Sequence, residues 1–299
     1  RKHSQLFCVH SARDILTMLL RECESADVEI HTRCAIQSVD AVANTRAVSG
    51  TGGTPPTEKA RYQLELTQPA DSRTVSCESL VVATGALSIP TLGGSGQGYD
   101  IARQFDLDLT PRQAGLVPFM FTDATLALCE RLAGISVEIV ASCGRHSFSE
   151  SMLFTHRGVS GPSILQISNY WSPGDTVHIN LLPGVKAGDW LINARSEYGK
   201  ARLSSFLGRS LPRALVSELE TLWWPAMSTR PLGEFGNQQL TEIGAHLNKW
   251  HLKPSATEGY RTAEVTLGGV NTDQVSSKTM EAKRHPGLFF VGEVLDVTG

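Results

Sequence analysis

The 299-residue sequence is short of several things, and each shortage removes a class of protein. Cysteine is sparse: Cys8, Cys23, Cys34, Cys77, Cys129 and Cys143 are scattered, with no C-x-x-C pair. That argues against a disulfide scaffold and against zinc spacings, and leads us to expect a reduced, cytoplasmic protein with no metal site. Long hydrophobic runs are missing. The most apolar stretches, residues 79–83 and 287–292, are strand-sized, against the roughly 20 residues of a membrane span. Charge of one sign is missing too. The formal net charge is -3 with acids and bases interspersed, so no electrostatic footprint for nucleic acid or an anionic membrane is expected. No G-x-S-x-G is present to make a hydrolase elbow, and no G-x-G-x-x-G follows a strand to complete a dinucleotide fingerprint. A secretory leader pattern is also lacking. Both ends, Arg1-Lys2-His3 and Asp296-Val297-Thr298-Gly299, are expected to be cuts through a longer chain.

What is present suits a folded protein: 41% of residues are hydrophobic and 19% charged, enough apolar material for one large or two ordinary domains. Ser11-Ala12-Arg13-Asp14 has capping-box form and leads into an amphipathic helix closing near Ser25. Residues 28–31 and 35–42 are expected to be strands, 44–58 a Gly/Thr/Pro-rich loop, and 61–67 a half-buried strand of a hairpin or meander. Residues 79–83 have no polar alternation, which predicts a central parallel strand covered on both faces. A glycine-rich loop and a helix near 99–105 follow. After Leu109 the character changes to short strands (136–142, 176–182) and clustered helices (162–170, 189–198, 211–222, 238–250). Near Arg261 it reverts, with a strand at 263–266 and a fully apolar one at 287–292.

Four motifs have chemical potential. Val81-Val82-Ala83-Thr84-Gly85 is an apolar strand ending in small residues, where a flat ligand can approach bare backbone. Leu288-Phe289-Phe290-Val291-Gly292-Glu293 delivers a carboxylate from a similar strand end, suited to accepting hydrogen bonds from sugar or ribityl hydroxyls. Each is equally compatible with an ordinary strand exit. In Thr155-His156-Arg157-Gly158-Val159-Ser160-Gly161-Pro162, His156, Arg157 and Ser160 are candidates for substrate contact or proton transfer. The structural alternative, which the pattern favours, is a Ser160 cap with His156 bracing the loop. Gly93-Gly94-Ser95-Gly96-Gln97-Gly98 follows Pro90 rather than a strand, and is expected to be a flexible connection.

In their order and spacing these motifs resemble the bacterial aminoacetone-oxidase-like or BaiN-type NAD(P)/FAD-dependent oxidoreductases. The matching runs include Leu80–Pro90, Gly96-Gln97-Gly98-Tyr99, Leu116-Val117-Pro118, Leu153–Pro162, Ala263–Val270, Thr279-Met280-Glu281 and Gly287–Asp296. The resemblance implies an α/β, Rossmann-like, two-dinucleotide-binding-domain flavoprotein, partial here, with an inserted α+β domain. Residues 1–109 and 261–299 would form the discontinuous, incomplete FAD-binding domain. Residues 110–260 would form the insert, with a β part and a helical part. By the same resemblance Ala83, Thr84 and Gly85 line the flavin, Gly292 and Glu293 meet the ribityl chain, Asp296 lies close by, and Ile36 contacts the adenine end. Ala86 stands where a second glycine is expected.

The implied activity is electron or hydride transfer through FAD to or from a small molecule, with NAD(P)H a candidate donor. A nucleic-acid or membrane partner is not expected, and the sequence leaves oligomeric state open. Alternatives are a non-catalytic flavin-binding regulatory protein, an inactive remnant, and an RNA-modifying flavoprotein, the last weakened by the missing basic patch. The chain by itself is expected to hold FAD weakly.

Overall fold

The computed structural model describes residues 8–42, 60–69 and 71–297; the expected 44–58 loop lies outside them. The chain divides into two compact units, Arg1–Leu80 and Val81–Gly299.

The first unit holds a helix, α1 (Arg13–Ser25), and strands β1 (Ala35–Ala41), β2 (Tyr62–Gln68) and β3 (Asp71–Cys77). The expected capping box is displaced: the N-cap position is Ala12, with no side-chain cap bond, and Ser11 braces the turn just before it. The Ser11 Oγ accepts from the Arg13 N–H at 3.2 Å, and the Asp14 carboxylate accepts from the Ser11 N–H at 3.4 Å. The three strands form an antiparallel meander with a register irregularity between Ile36 and Ser38. Alternation in β2 puts Tyr62 and Leu64 inside, against Val39 of β1. Residues 28–31 are not a strand: among the described residues they have no ladder partner, and Val28 and Ile30 are exposed. A run with strand periodicity becomes a strand only where another backbone satisfies its N–H and C=O groups. The stripe of α1 containing Ile15, Leu16 and Leu19 is likewise exposed among the described residues.

The second unit contains two small ladders and one large sheet. β4 (Leu80–Val82) pairs with β14 (Leu288–Phe290), and β5 (Gln113–Gly115) pairs antiparallel with β13 (Val265–Leu267). Strand β4 was expected to be covered on both faces. Val82 is buried but Val81 is 55% exposed, because among the described residues nothing covers its outer face. The helix α2 (Gln97–Gln104) packs nearby, starting two residues earlier than the sequence predicts.

The large sheet has seven strands in the order β11-β10-β7-β8-β9-β6-β12. These are β6 (Phe119–Met120), β7 (Ser136–Cys143), β8 (His146–Thr155), β9 (Gly158–Ser160), β10 (Val177–Asn180), β11 (Trp250–Leu252) and β12 (Ala256–Thr257), all paired antiparallel. One face of β7, β8, β10 and β11 carries Ile139, Ala141, Met152, Phe154, Ile179 and Trp250, all buried in one core. The helices α3 (Asp123–Arg131), α4 (Pro162–Ser168), α5 (Ala187–Tyr198), α6 (Leu203–Leu207), α7 (Arg213–Trp223) and α8 (Asn237–Asn248) contribute to that core. The other face is rich in serine, with Ser142 opposite Ser147 and Glu138 opposite Ser151. The thiol of Cys129 is pushed up to about 12, first by burial and then by Glu130, so it behaves as a packing group. All six cysteines are free. No helix among the described residues is long and apolar enough to cross a membrane.

Helix α8 ends at Asn248, whereas the sequence pattern extends it to 250. The Asn248 amide explains the stop. It accepts from the Ala187 N–H and donates to Asn180 Oδ1 and the Val185 carbonyl, freeing Trp250 to pair with Ile179. Helices α5 and α8 cross where Gly188 meets Gly244 backbone to backbone; a Cβ on Gly244 would overlap the Gly188 main chain. Gly244→Ala is therefore expected to destabilise the protein by about 2 kcal/mol. Urea unfolding measures this, and an unchanged midpoint would show that the crossing has room to relax.

Candidate functional site

Strands β4 and β14 lie side by side, the Val291 N–H donating to the Val82 carbonyl at 3.1 Å. Each exits into a glycine with positive φ, Gly85 at 69° and Gly292 at 77°. At both, the position a Cβ would occupy is open space. Ala83 is exposed, Thr84 half-buried, and Gly292 and Glu293 exposed. The strand ends thus present a strip of bare backbone bordered by one carboxylate, which fits the flat ring and hydroxylated chain of a flavin. Asp296 is fixed from behind, its N–H donating to the Val270 carbonyl at 2.9 Å. Ile36 belongs to the other unit, where it sits on β1 at the register irregularity.

The rear of this strip is closely packed. Gly98, in the first turn of α2, lies so close to Thr84 that a side chain there would collide with the Thr84 hydroxyl and come within 2.7 Å of Val294. Part of the expected flexible connection is therefore a tight joint. The turn after Ala83 is held by Thr266, whose Oγ1 accepts from the Leu87 and Ser88 N–H groups at 3.1 and 3.0 Å. The Ile89 N–H donates to the Tyr260 carbonyl.

Next to Gly98, the Tyr99 ring is buried beneath the Arg112 guanidinium, 5.1 Å from its centroid. Burial raises the Tyr99 hydroxyl pKa; Arg112 opposes the shift, while Tyr260 and Glu293 add to it. Tyr99 Oη, Arg112 Nη1 and Thr262 Oγ1 are buried without a hydrogen-bond partner among the described residues. Such atoms cost about 1–3 kcal/mol each when unsatisfied. Tyr99 and Arg112 are joined by their cation–π contact next to Gly98, the joint packed behind the strand ends. The sequence signal for this group was weak: Tyr99 lies in the recognised Gly96–Tyr99 run, but nothing in that run shows its hydroxyl to be unpaired.

His156 and Arg157 occupy the turn between β8 and β9 and are exposed. The loop is braced by Thr155, whose Oγ1 accepts from the Arg157 and Gly158 N–H groups, rather than by His156. Ser160 caps nothing: the cap position of α4 is Gly161, with no side-chain bond. Arg157 reaches Glu258 at 3.7 Å. The Glu258 N–H in turn donates to the Pro118 carbonyl, two residues before Tyr260. One connecting segment therefore links the β8–β9 turn to the Tyr260–Arg112–Tyr99 group. Among the described residues no cluster of His, Cys, Asp and Glu is placed to hold a metal.

A family model described as the HI0933-like protein Rossmann domain matches residues 1–299. A ribosomal RNA dihydrouridine synthase from Escherichia coli is 43% identical over 297 residues, 99% of this chain and 68% of that protein. One from Haemophilus influenzae is 40% identical over 299 residues, 99% of this chain and 69% of that protein. A 3-dehydro-bile acid delta(4,6)-reductase from Clostridium scindens is 27% identical over 244 residues, covering 77% of this chain and 59% of that protein. None of the three has the aminoacetone-oxidase-like or BaiN-type name that the motifs led us to expect. The Rossmann-like α/β architecture expected from sequence stands.

Two substitutions separate a structural polar group from one held for a ligand. Thr266→Val leaves two buried N–H groups without an acceptor and should cost about 2 kcal/mol in denaturant unfolding of the ligand-free protein. Tyr99→Phe should cost nothing or stabilise the same protein by up to about 1 kcal/mol, since it removes an unsatisfied hydroxyl. A large loss with Tyr99→Phe would mean that the hydroxyl already has a structural partner.

Proposed function

Because the chain belongs to the HI0933-like Rossmann-domain family, we propose that it is an FAD-dependent reductase acting on uridine in ribosomal RNA. The observation behind this is the match at 43% and 40% identity, over 99% of the chain in both cases, to two proteins named ribosomal RNA dihydrouridine synthase. The strand-end geometry supplies the chemical side of the argument. Dihydrouridine is uridine with hydrogen added across a carbon–carbon double bond conjugated to a carbonyl. The double bonds named in a 3-dehydro-delta(4,6) bile acid are conjugated to a ketone in the same way. One reaction class, conjugate reduction, covers all three relatives. This departs from the small-molecule substrate expected from sequence.

When bound and reduced by NAD(P)H, the proposed electron source, the flavin would supply the hydride for the carbon β to the carbonyl and return to oxidised FAD. The α-carbon must then take a proton. In this proposal Ala83, Thr84, Gly85 and Gly292 offer backbone to the ring, Glu293 accepts from ribityl hydroxyls, and Asp296 supports that turn. The Tyr99 hydroxyl and Arg112 Nη1 are free to donate to a carbonyl oxygen, where negative charge builds up during conjugate reduction. His156 is the candidate for the proton; Arg157, tethered by Glu258, and Ser160 are candidates for orienting substrate. Residues 110–260 are proposed as the inserted domain, consistent with the single core that runs from Phe119 to Leu252.

The deciding experiment is nucleoside mass spectrometry of ribosomal RNA incubated with the FAD-loaded protein and NAD(P)H. A uridine heavier by two hydrogens is the expected product. Unchanged RNA together with reduction of a conjugated steroid ketone would replace the RNA substrate with a small molecule, the reading that the bile-acid relative favours. Gly292→Val should lower FAD affinity about tenfold, because it fills the open space and resists positive φ. Visible flavin absorbance after gel filtration measures this, and full retention of colour would remove Gly292 from the cofactor site.

A further inference from the structure

At the β11 edge of the seven-stranded sheet is a cleft of about 390 Å³, enclosed by α3, the ends of α7 and α8, and β11 itself. None of its lining residues belongs to the strand ends or to the Tyr99 group. Its walls are aromatic. The Trp223 indole stacks on the His246 ring, with centroids 5.2 Å apart and planes 20° from parallel. Trp250 meets Trp223 edge-on at 5.8 Å. The rim carries Lys249, two imidazoles and an apolar group: His246, Lys249 and His251 are exposed, as is Leu222, and no lining residue is acidic. Behind the rim, His178 lies edge-to-face with His251, and its pKa is lowered by burial first and then by the charges of Lys249 and His251. Lys249 thus brings a positive charge to a rim that has no acidic lining residue, although the chain as a whole is slightly acidic.

Aromatic faces beside an ammonium, with no acidic residue in the lining, match the two parts of an unpaired nucleotide: a base that stacks and a phosphate that pairs with the ammonium. A volume of this size lies within the roughly 300–1,000 Å³ of ordinary ligand clefts. An uncharged lipid tail or an apolar peptide would use the tryptophans but not Lys249. We infer that this cleft holds a single-stranded segment of the RNA substrate, with a base against Trp223 and its backbone phosphate on Lys249. The inference rests on the RNA reading above and adds to it a second contact, outside the reducing site.

The test is fluorescence anisotropy of a labelled oligouridylate titrated with the full chain loaded with FAD, over a range of salt concentrations. Lys249→Glu, an exposed change that should fold normally, is expected to weaken binding about tenfold and to reduce the salt slope by about one. Trp223→Leu is expected to weaken binding roughly tenfold with an unchanged salt slope. If Trp223→Leu misfolds, Lys249→Glu still decides. Wild-type affinity and slope in Lys249→Glu would overturn the cleft assignment. So would failure of the wild-type protein to bind the probe while ribosomal RNA is still reduced, an outcome that leaves the proposed function standing. No binding together with no RNA reduction would remove both.

Discussion

One length of backbone, residues 256–271, ties the second unit together through main-chain bonds. It pairs with β6 through Ala256 and Thr257, with β5 through Val265 to Leu267, and with Leu109 and Leu295 through Val270. Along the way it holds Ile89 by the Tyr260 carbonyl and the Leu87–Ser88 turn by the Thr266 hydroxyl. The geometry of the strand ends is thus fixed by a segment far away in sequence. The constraint is simple: buried N–H and C=O groups must all be matched, and this segment matches those of three ladders at once. A shift in its register would move the glycine strip, the Tyr99 group and the β8–β9 turn together.

The elements legible in the sequence were those whose signal is local. The first helix, the alternation of 61–67, and the helices at 162–170, 189–198 and 211–222 all appear within a few residues of their expected limits. What failed depends on distant partners. Residues 28–31 have strand periodicity but nothing to pair with among the described residues. Strand β8 has ten residues, none of them among the expected strands; in its first half serines alternate with His146, Phe148 and Glu150. Those positions form a strand through their pairing with β7. The tail of α8 was misjudged for a similar reason: Asn248 ends the helix through bonds to residues more than sixty positions away.

The candidate site was legible in outline and not in detail. Small residues after apolar strands mark where backbone is bare, so Gly85 and Gly292 can be picked out from sequence, and the structure shows both at positive φ facing open space. The Arg112–Tyr99 pairing joins two elements with no shared motif. Net charge is a blunt guide to any one site: it sums over the whole surface, whereas a ligand responds to charges within about a Debye length. Lys249, His246 and His251 lie around one cleft although the balance of the chain is negative.

The strand order of the large sheet also bears on how the protein is made. Strands β7 and β8 are a hairpin in the middle of the sheet and can form as soon as they leave the ribosome, since their contacts are local. The two outermost strands, β11 and β12, come a hundred residues later and close opposite edges of the sheet within eight residues of each other. Until they are synthesised, β10 and β6 each expose an unpaired edge on the nascent chain. The interval between translating residue 160 and residue 257 is therefore the period when this protein most needs protection from edge-to-edge association.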